Sequence, residues 1–178
     1  VKIVINGFGR IGRATFRIIL EHSDQAEVVA VNDPGNPEML AYLLKHDTVY
    51  GKFDGEVKVQ DGSLWVNGKS YPFFAERDAA KLPWKQYDVD VVLECTGVFS
   101  KKEDVSKHLE AGAKKVILSS PAKGDNIETY VLGVNDDGLQ KTKEKIISNA
   151  SCTTNCLAPV MKILSDTIGV KKGVMATV

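Results

Sequence analysis

Two short segments of this 178-residue sequence carry residue types whose spacing could do chemistry. The first is Gly7-Phe8-Gly9-Arg10-Ile11-Gly12, a G-x-G-x-x-G run that follows an apolar segment and opens a helical one. Asp33 comes about 20 residues later, at the end of a second apolar segment, as in a dinucleotide-binding fingerprint. Gly7 permits a tight turn, Gly9 lets a pyrophosphate approach the backbone, and Gly12 allows close helix–strand packing. The helix start then offers free N–H groups and a positive dipole end to phosphates. Asp33 suits the two hydroxyls of an adenosine ribose. A 2′-phosphate there would face a carboxylate at a cost of several kcal/mol, so NAD is favoured over NADP. The bland alternative is a Gly-rich turn that binds nothing.

The second segment is Asn149–Cys156, N-A-S-C-T-T-N-C, which leaves a strand and enters a helix. A cysteine at a helix N-terminus has its thiolate favoured by the dipole, worth roughly 0.3–1 kcal/mol. Cys152 is therefore a candidate nucleophile, whose full activation would need an added base such as histidine. His22, His46 and His108 are not obvious partners; all three read as solvent-facing residues on or beside helices. Cys156, one helical turn beyond Cys152, could suggest redox exchange, but its spacing is wider than C-x-x-C and a buried structural thiol is the preferred reading. Cys95, ending a strand, is expected to pack in the core. No further Cys/His pair has zinc-ligand spacing, so no metal is expected. Arg77 and Ser119 remain ambiguous on spacing alone, between site residues and ordinary surface residues.

The elements that must position these residues follow from apolar periodicity. Val1–Asn6 and Glu27–Asn32 read as strands buried on both faces, with a helix over Arg13–His22 between them. That is a βαβ unit, expected to be right-handed and parallel. Val57–Tyr71 reads as a small antiparallel excursion turning at Asp61-Gly62 and Asn67-Gly68. Strands at Val89–Leu93, Lys115–Leu118 and Lys145–Ser148 alternate with helices at Lys102–Ala111 and about Cys152–Ile168. Gly173–Val178 reads as the start of another strand. The expectation is an α/β fold: a doubly wound, Rossmann-like, mostly parallel sheet, with ligands beyond the strands' carboxyl ends.

Composition sets the outer limits. Charge balances at 23 Lys+Arg against 23 Asp+Glu, and 43% of residues are hydrophobic. A neutral chain without a basic block offers little electrostatic attraction to nucleic acid or to an anionic membrane surface. No apolar run approaches the roughly 18 residues of a membrane span. Three cysteines make no disulfide framework, and Val1 opens directly into a strand-like segment without a charged leader. The expected setting is cytoplasmic.

Longer motifs carry a family resemblance across residues 1–178. I-N-G-F-G-R-I-G-R at Ile5–Arg13, V-N-D at Val31–Asp33 and E-R-D at Glu76–Asp78 resemble phosphorylating glyceraldehyde-3-phosphate dehydrogenases. So do E-C-T-G at Glu94–Gly97, K-G-D at Lys123–Asp125 and S-N-A-S-C-T-T-N-C at Ser148–Cys156. The related erythrose-4-phosphate dehydrogenases share the cysteine motif. They typically carry Asn-Glu where Asn32-Asp33 stands here, and lack the loop type of Ser119–Asp125. The sequence sides with the triose enzymes.

The resemblance implies a glycolytic reaction. Glyceraldehyde 3-phosphate is oxidised with NAD and inorganic phosphate, through a thioester on Cys152. It places Arg10 and Ile11 at the pyrophosphate, Asp33 at the adenosine ribose, Arg77 near the adenine and Ser119 towards the nicotinamide half. Ser151 and Thr153 would help to bind inorganic phosphate. It implies a homotetramer, and a division into a dinucleotide-binding domain over residues 1–150 and the start of a catalytic domain over 151–178. In such enzymes the catalytic histidine directly follows the segment matching Met175–Val178, with the substrate-phosphate arginine further on. The 178 residues alone are therefore expected to bind nucleotide without turnover.

Overall fold

Apolar residues run almost unbroken through Ile3-Val4-Ile5 and Val28–Val31, a composition that suits strands covered on both faces. The computed structural model of the protein, which describes residues 1–124 and 126–177, shows them so. β1 (Lys2–Asn6) and β2 (Glu27–Asn32) are parallel neighbours joined by α1 (Arg10–Glu21). Val4 and Ile5 are both fully buried but enter different core clusters. Val4 packs with Trp84, Val92 and Val116; Ile5 packs with Phe8, Phe16 and Leu44. Period-two alternation thus feeds both faces of the sheet.

The chain continues through α2 (Pro37–Lys45), which starts well: the Asn36 side chain accepts the Met39 N–H, and Pro37 occupies the first turn. β3 (His46–Asp47) and β4 (Gly51–Lys52) form a separate two-stranded ribbon. β5 (Val57–Gln60), β6 (Ser63–Val66) and β7 (Lys69–Phe74) form the expected antiparallel meander. Both its turns carry positive φ at two successive residues, Asp61-Gly62 and Asn67-Gly68, as a two-residue hairpin requires. The excursion is continuous with the main sheet, because β7 pairs in parallel with β2. Then follow β8 (Val91–Glu94), α3 (Lys102–Glu110), β9 (Lys115–Leu118), β10 (Glu128–Thr129), β11 (Ile146–Ser148) and α4 (Cys152–Thr167).

The nine strands lie in the order β10-β11-β9-β8-β1-β2-β7-β6-β5. From β1 the chain winds outward through β2 on one side, then returns to β8 on the other. The carboxyl ends of β1 and β8 therefore flank the point where the order reverses, where open α/β sheets bind ligands.

Two expectations about elements are corrected. α1 starts at Arg10, not Arg13, so the helix begins inside the glycine run; extended Gly9 is its N-cap. Residues 173–177 form no strand, since no strand among the described residues offers them a ladder partner. Val178, the last residue of that expected strand, and Asp125 of the K-G-D motif lie outside the described residues. α4 forms as expected, although none of its residues is fully buried. No helix among the described residues is long and apolar enough to cross a membrane.

Candidate functional site

The three glycines of the first loop answer to different constraints. Gly7 sits at φ +93°, in the left-handed region, and a Cβ there would lie 2.6 Å from the Thr96 nitrogen. Its own N–H donates to the Asn32 carbonyl at 2.7 Å, which ties the turn to β2. A Cβ on Gly12 would overlap the Gly7 carbonyl oxygen and come 2.9 Å from Ile5 Cγ2. Around Gly9, by contrast, a Cβ would meet nothing within 4 Å. The protein itself places no steric demand on that glycine, and the space beside it is open for a ligand to approach. Gly12→Ala is expected to destabilise the fold by about 1–3 kcal/mol through overpacking. Gly9→Ala should leave the melting temperature unchanged while weakening dinucleotide binding, and paired melting and binding curves check the contrast.

Beside this loop lies a cavity of about 300 Å³, in the usual size range of small-ligand sites. Gly7, Gly9, Asp33, Arg77, Thr96 and Phe99 are among its walls. Asp33 is anchored rather than free: Oδ2 accepts the Phe8 N–H and Oδ1 the Gly35 N–H, both at 2.7 Å. Each oxygen keeps a second acceptor direction, enough for a pair of vicinal hydroxyls. A second cavity of about 330 Å³ takes Ile11 and Ser119 into its walls. Cys95, just beyond β8, lines both. Asp33 and Arg77 thus share one cavity, while Ile11 and Ser119 share the next.

Arg10 opens α1, but its guanidinium pairs with Asp47 at 3.0 Å. The Asp47 carboxyl is pushed down to about 2, chiefly by the N–H groups of Tyr50 and Val49 and then by Arg10. What Arg10 and Ile11 bring to the loop is their backbone: first-turn N–H groups lack partners within a helix. These donors and the dipole suit a pyrophosphate.

The second segment is built around the start of α4. Ser151 is its N-cap, accepting the Thr154 N–H at 2.9 Å, with its hydroxyl 2.8 Å from Thr153 Oγ1. Asn155 Nδ2 reaches back to the carbonyls of Asn149 and Ser151 at 2.7 and 3.0 Å, clamping the turn. Ala150 sits at φ +61°, a conformation that costs a non-glycine residue roughly 1–2 kcal/mol. Such local strain is typical of functional turns. Its effect is to turn the chain sharply from β11 into α4, leaving Cys152 exposed in the first helical position. Cys152 is not among the described walls of either cavity. Asn149, three residues before it, does line the second.

Two side chains differ from expectation. Cys156 is exposed, not a buried structural thiol, because the α4 face that carries it has no packing partner among the described residues. His108 is not on a solvent face but fully buried, drawn inward by Glu94 and by Trp84. His22 and His46 are exposed as expected. Cys95 packs in the core, and burial pushes its thiol up to about 11. Relative to an ordinary thiol at 9.0, that leaves about 100-fold less thiolate near neutral pH. Alkylation of Cys95 is therefore expected to lag far behind Cys152 at pH 7. Its rate should keep climbing until about pH 11; comparable rates at pH 7, by peptide mass spectrometry, would contradict this.

Sequence reasoning missed the polar wall of the first cavity: Asn6, Asn32, Glu76 and Thr96. The available signal was position, since Asn6 and Asn32 end apolar strands at the carboxyl edge where ligands bind.

Comparison with known proteins bears on this arrangement. Residues 1–102 match the family model described as glyceraldehyde 3-phosphate dehydrogenase, NAD binding domain, and residues 151–178 that of the C-terminal domain. Over 178 residues the chain is 56% identical to glyceraldehyde-3-phosphate dehydrogenase of Priestia megaterium and 55% to glyceraldehyde-3-phosphate dehydrogenase 1 of Bacillus subtilis. It is 51% identical to the enzyme of that name from Chlamydia muridarum. In each case all of this chain is covered, and it spans about half the length of the relative (52–53%). With a reversal-point cavity, an NAD-binding domain match over the glycine loop and relatives similar from end to end, the chain belongs to the glyceraldehyde-3-phosphate dehydrogenase family.

Proposed function

We propose that the intact protein carrying this chain oxidises D-glyceraldehyde 3-phosphate, with NAD and inorganic phosphate, to 1,3-bisphosphoglycerate. The observation that carries this reading is Cys152, exposed at the first turn of α4 beside the Ser151 and Thr153 hydroxyls. The family match over residues 1–102 and 151–178 supports it. The alternatives, a non-catalytic NAD-binding module and an erythrose-4-phosphate dehydrogenase, draw no support from the names of the relatives.

The residues of this chain fit NAD. Gly9 leaves its approach open and Gly7 its turn; the N–H groups of Arg10 and Ile11 face a pyrophosphate, and Gly12 holds the helix close. Asp33 takes the adenosine ribose hydroxyls and Arg77 borders the adenine. Ser119, in the adjoining cavity with Ile11, faces the nicotinamide half. When bound, NAD supplies a hydride acceptor.

Cys152 supplies the nucleophile. Its thiolate adds to the aldehyde carbon, forming a C–S bond, and the carbonyl oxygen takes up a proton to give a hemithioacetal. Loss of a hydride from that carbon and of the hydroxyl proton leaves a thioester on Cys152. A phosphate oxygen, held by Ser151 and Thr153, then attacks the thioester carbon. The C–S bond breaks, and acyl phosphate leaves as the thiolate is restored. The thioester conserves the energy of oxidation for phosphate transfer. The family resemblance implies a histidine as general base, directly after the segment matching Met175–Val178.

A division at residue 150/151, a cytoplasmic location and a homotetramer complete the proposal. The start of the C-terminal family match at residue 151 supports the division. Initial rates of NADH formation by the intact protein test the reading. Turnover should require both aldehyde and phosphate, and NADH formation that ignores phosphate would refute it.

A further inference from the structure

Beneath the first cavity lies a polar network that the mechanism above does not use. Glu94, fully buried at the end of β8, faces Asn6 on β1, and Asn6 in turn faces Asn32 on β2. A carboxylate with no exposed surface needs several donors to replace water. Here their directions are fixed from both sides. Glu76 N–H is a backbone donor, so the atom it meets at 2.9 Å must be Asn32 Oδ1. Asn32 Nδ2 therefore donates to Asn6 Oδ1 at 2.6 Å, and Asn6 Nδ2 donates to Glu94 Oε2 at 2.5 Å.

On the opposite side, Trp84 Nε1–H can only donate, and it meets His108 Nδ1 at 3.1 Å. That nitrogen must present a lone pair, so the imidazole proton sits on Nε2, 3.1 Å from the same Glu94 Oε2. The Thr96 N–H closes on Oε1 at 2.7 Å, with the Thr96 hydroxyl also on Oε1. Four donors therefore converge on the Glu94 carboxyl: Asn6 Nδ2 and His108 Nε2 on Oε2, themselves 3.3 Å apart, and the Thr96 N–H and hydroxyl on Oε1.

The groups so held are the walls of the cavity. Asn6 precedes Gly7, Asn32 precedes Asp33, Glu76 precedes Arg77, and Thr96 lies against the Gly7 turn. Phe99, another wall residue, packs edge-on against the His108 ring at 5.9 Å. We propose that Glu94 is a positioning residue for the adenosine half of the dinucleotide. Its carboxyl group, on which these donors converge and which His108 and Trp84 orient, holds the ends of β1, β2 and β8 and the Glu76–Arg77 segment in binding geometry. The role rests on the dinucleotide reading of this cavity.

Glu94→Gln keeps the shape but puts an NH₂ group where a donor already points. In the intact protein it should weaken AMP, which carries only the adenosine half, and NAD by the same factor. That factor is expected at about 10- to 100-fold, the effect of one misdirected buried hydrogen bond. The rate of Cys152 alkylation without nucleotide should not change, and Glu94→Asp should recover part of the AMP affinity. Unchanged AMP binding by a folded Glu94→Gln protein would overturn the proposal. So would a loss of AMP binding that comes with altered Cys152 reactivity and is not recovered by Glu94→Asp, since that pattern marks general disruption. If Glu94→Gln does not fold, Trp84→Phe decides. It removes the donor that sets the His108 tautomer and should weaken AMP several-fold; unchanged affinity would again overturn the role. Failure of the unaltered protein to bind either nucleotide would instead refute the dinucleotide reading, and the positioning role with it.

Discussion

Replacing Asp33 by alanine is expected to reduce the preference for NAD over NADP by about 100-fold or more. The magnitude follows from like charges: a 2′-phosphate opposite a carboxylate costs several kcal/mol, and each 1.4 kcal/mol is tenfold in affinity. The structure adds a second consequence. Asp33 accepts the N–H groups of Phe8 and Gly35, so alanine leaves the Phe8 donor unpaired at the edge of the glycine turn. NAD affinity should therefore fall while NADP affinity rises. Competitive titration of both nucleotides reads the ratio directly, and an unchanged ratio would refute the role given to Asp33.

The second large effect concerns the cysteine. Cys152→Ser should lower turnover by about 10⁴-fold or more, the scale seen when a nucleophile is removed from a catalytic unit. NAD binding should survive, because Cys152 is not among the described walls of either cavity. Cys156→Ser, one turn further along α4 and exposed, should keep most of the activity. A Cys156 variant as impaired as the Cys152 variant would contradict the assignment of the nucleophile.

Much of this was legible in the residues. Glu27–Asn32 and Lys115–Leu118 form strands with the bounds that their β-branched runs suggest, and the Asp-Gly and Asn-Gly turns form where positive φ is tolerated. Local chemistry decided those elements. Where tertiary packing decides, the sequence is a weaker guide. His108 looks like one more polar residue on a helix; only the fold shows that Glu94 and the Trp84 indole meet it from the sheet side. Cys156 follows apolar helical spacing, yet exposure depends on what covers that face, which periodicity does not encode. The residues 173–177 have strand-like composition, but a strand needs a neighbour to pair with.

The site divides along the same line. Gly7, Gly9, Gly12 and Asp33 belong to a short motif whose spacing is dictated by the ligand it suits. Cys152 stands out through its helix start. Asn6 ends β1, Asn32 ends β2, and Glu94 and Thr96 lie at the end of β8; the parallel register of β2, β1 and β8 brings these three strand ends together. No local pattern could have grouped them.

The central claim is that Cys152 carries the oxidised substrate as a thioester. The most direct test mixes the intact protein with D-glyceraldehyde 3-phosphate and NAD in the absence of phosphate, quenches in acid, and maps the adduct by peptide mass spectrometry. An acyl group on the peptide bearing Cys152, discharged when phosphate is added before the quench, is the expected result. NADH formed with no acyl group on Cys152, or with the group on Cys95 or Cys156, would contradict it.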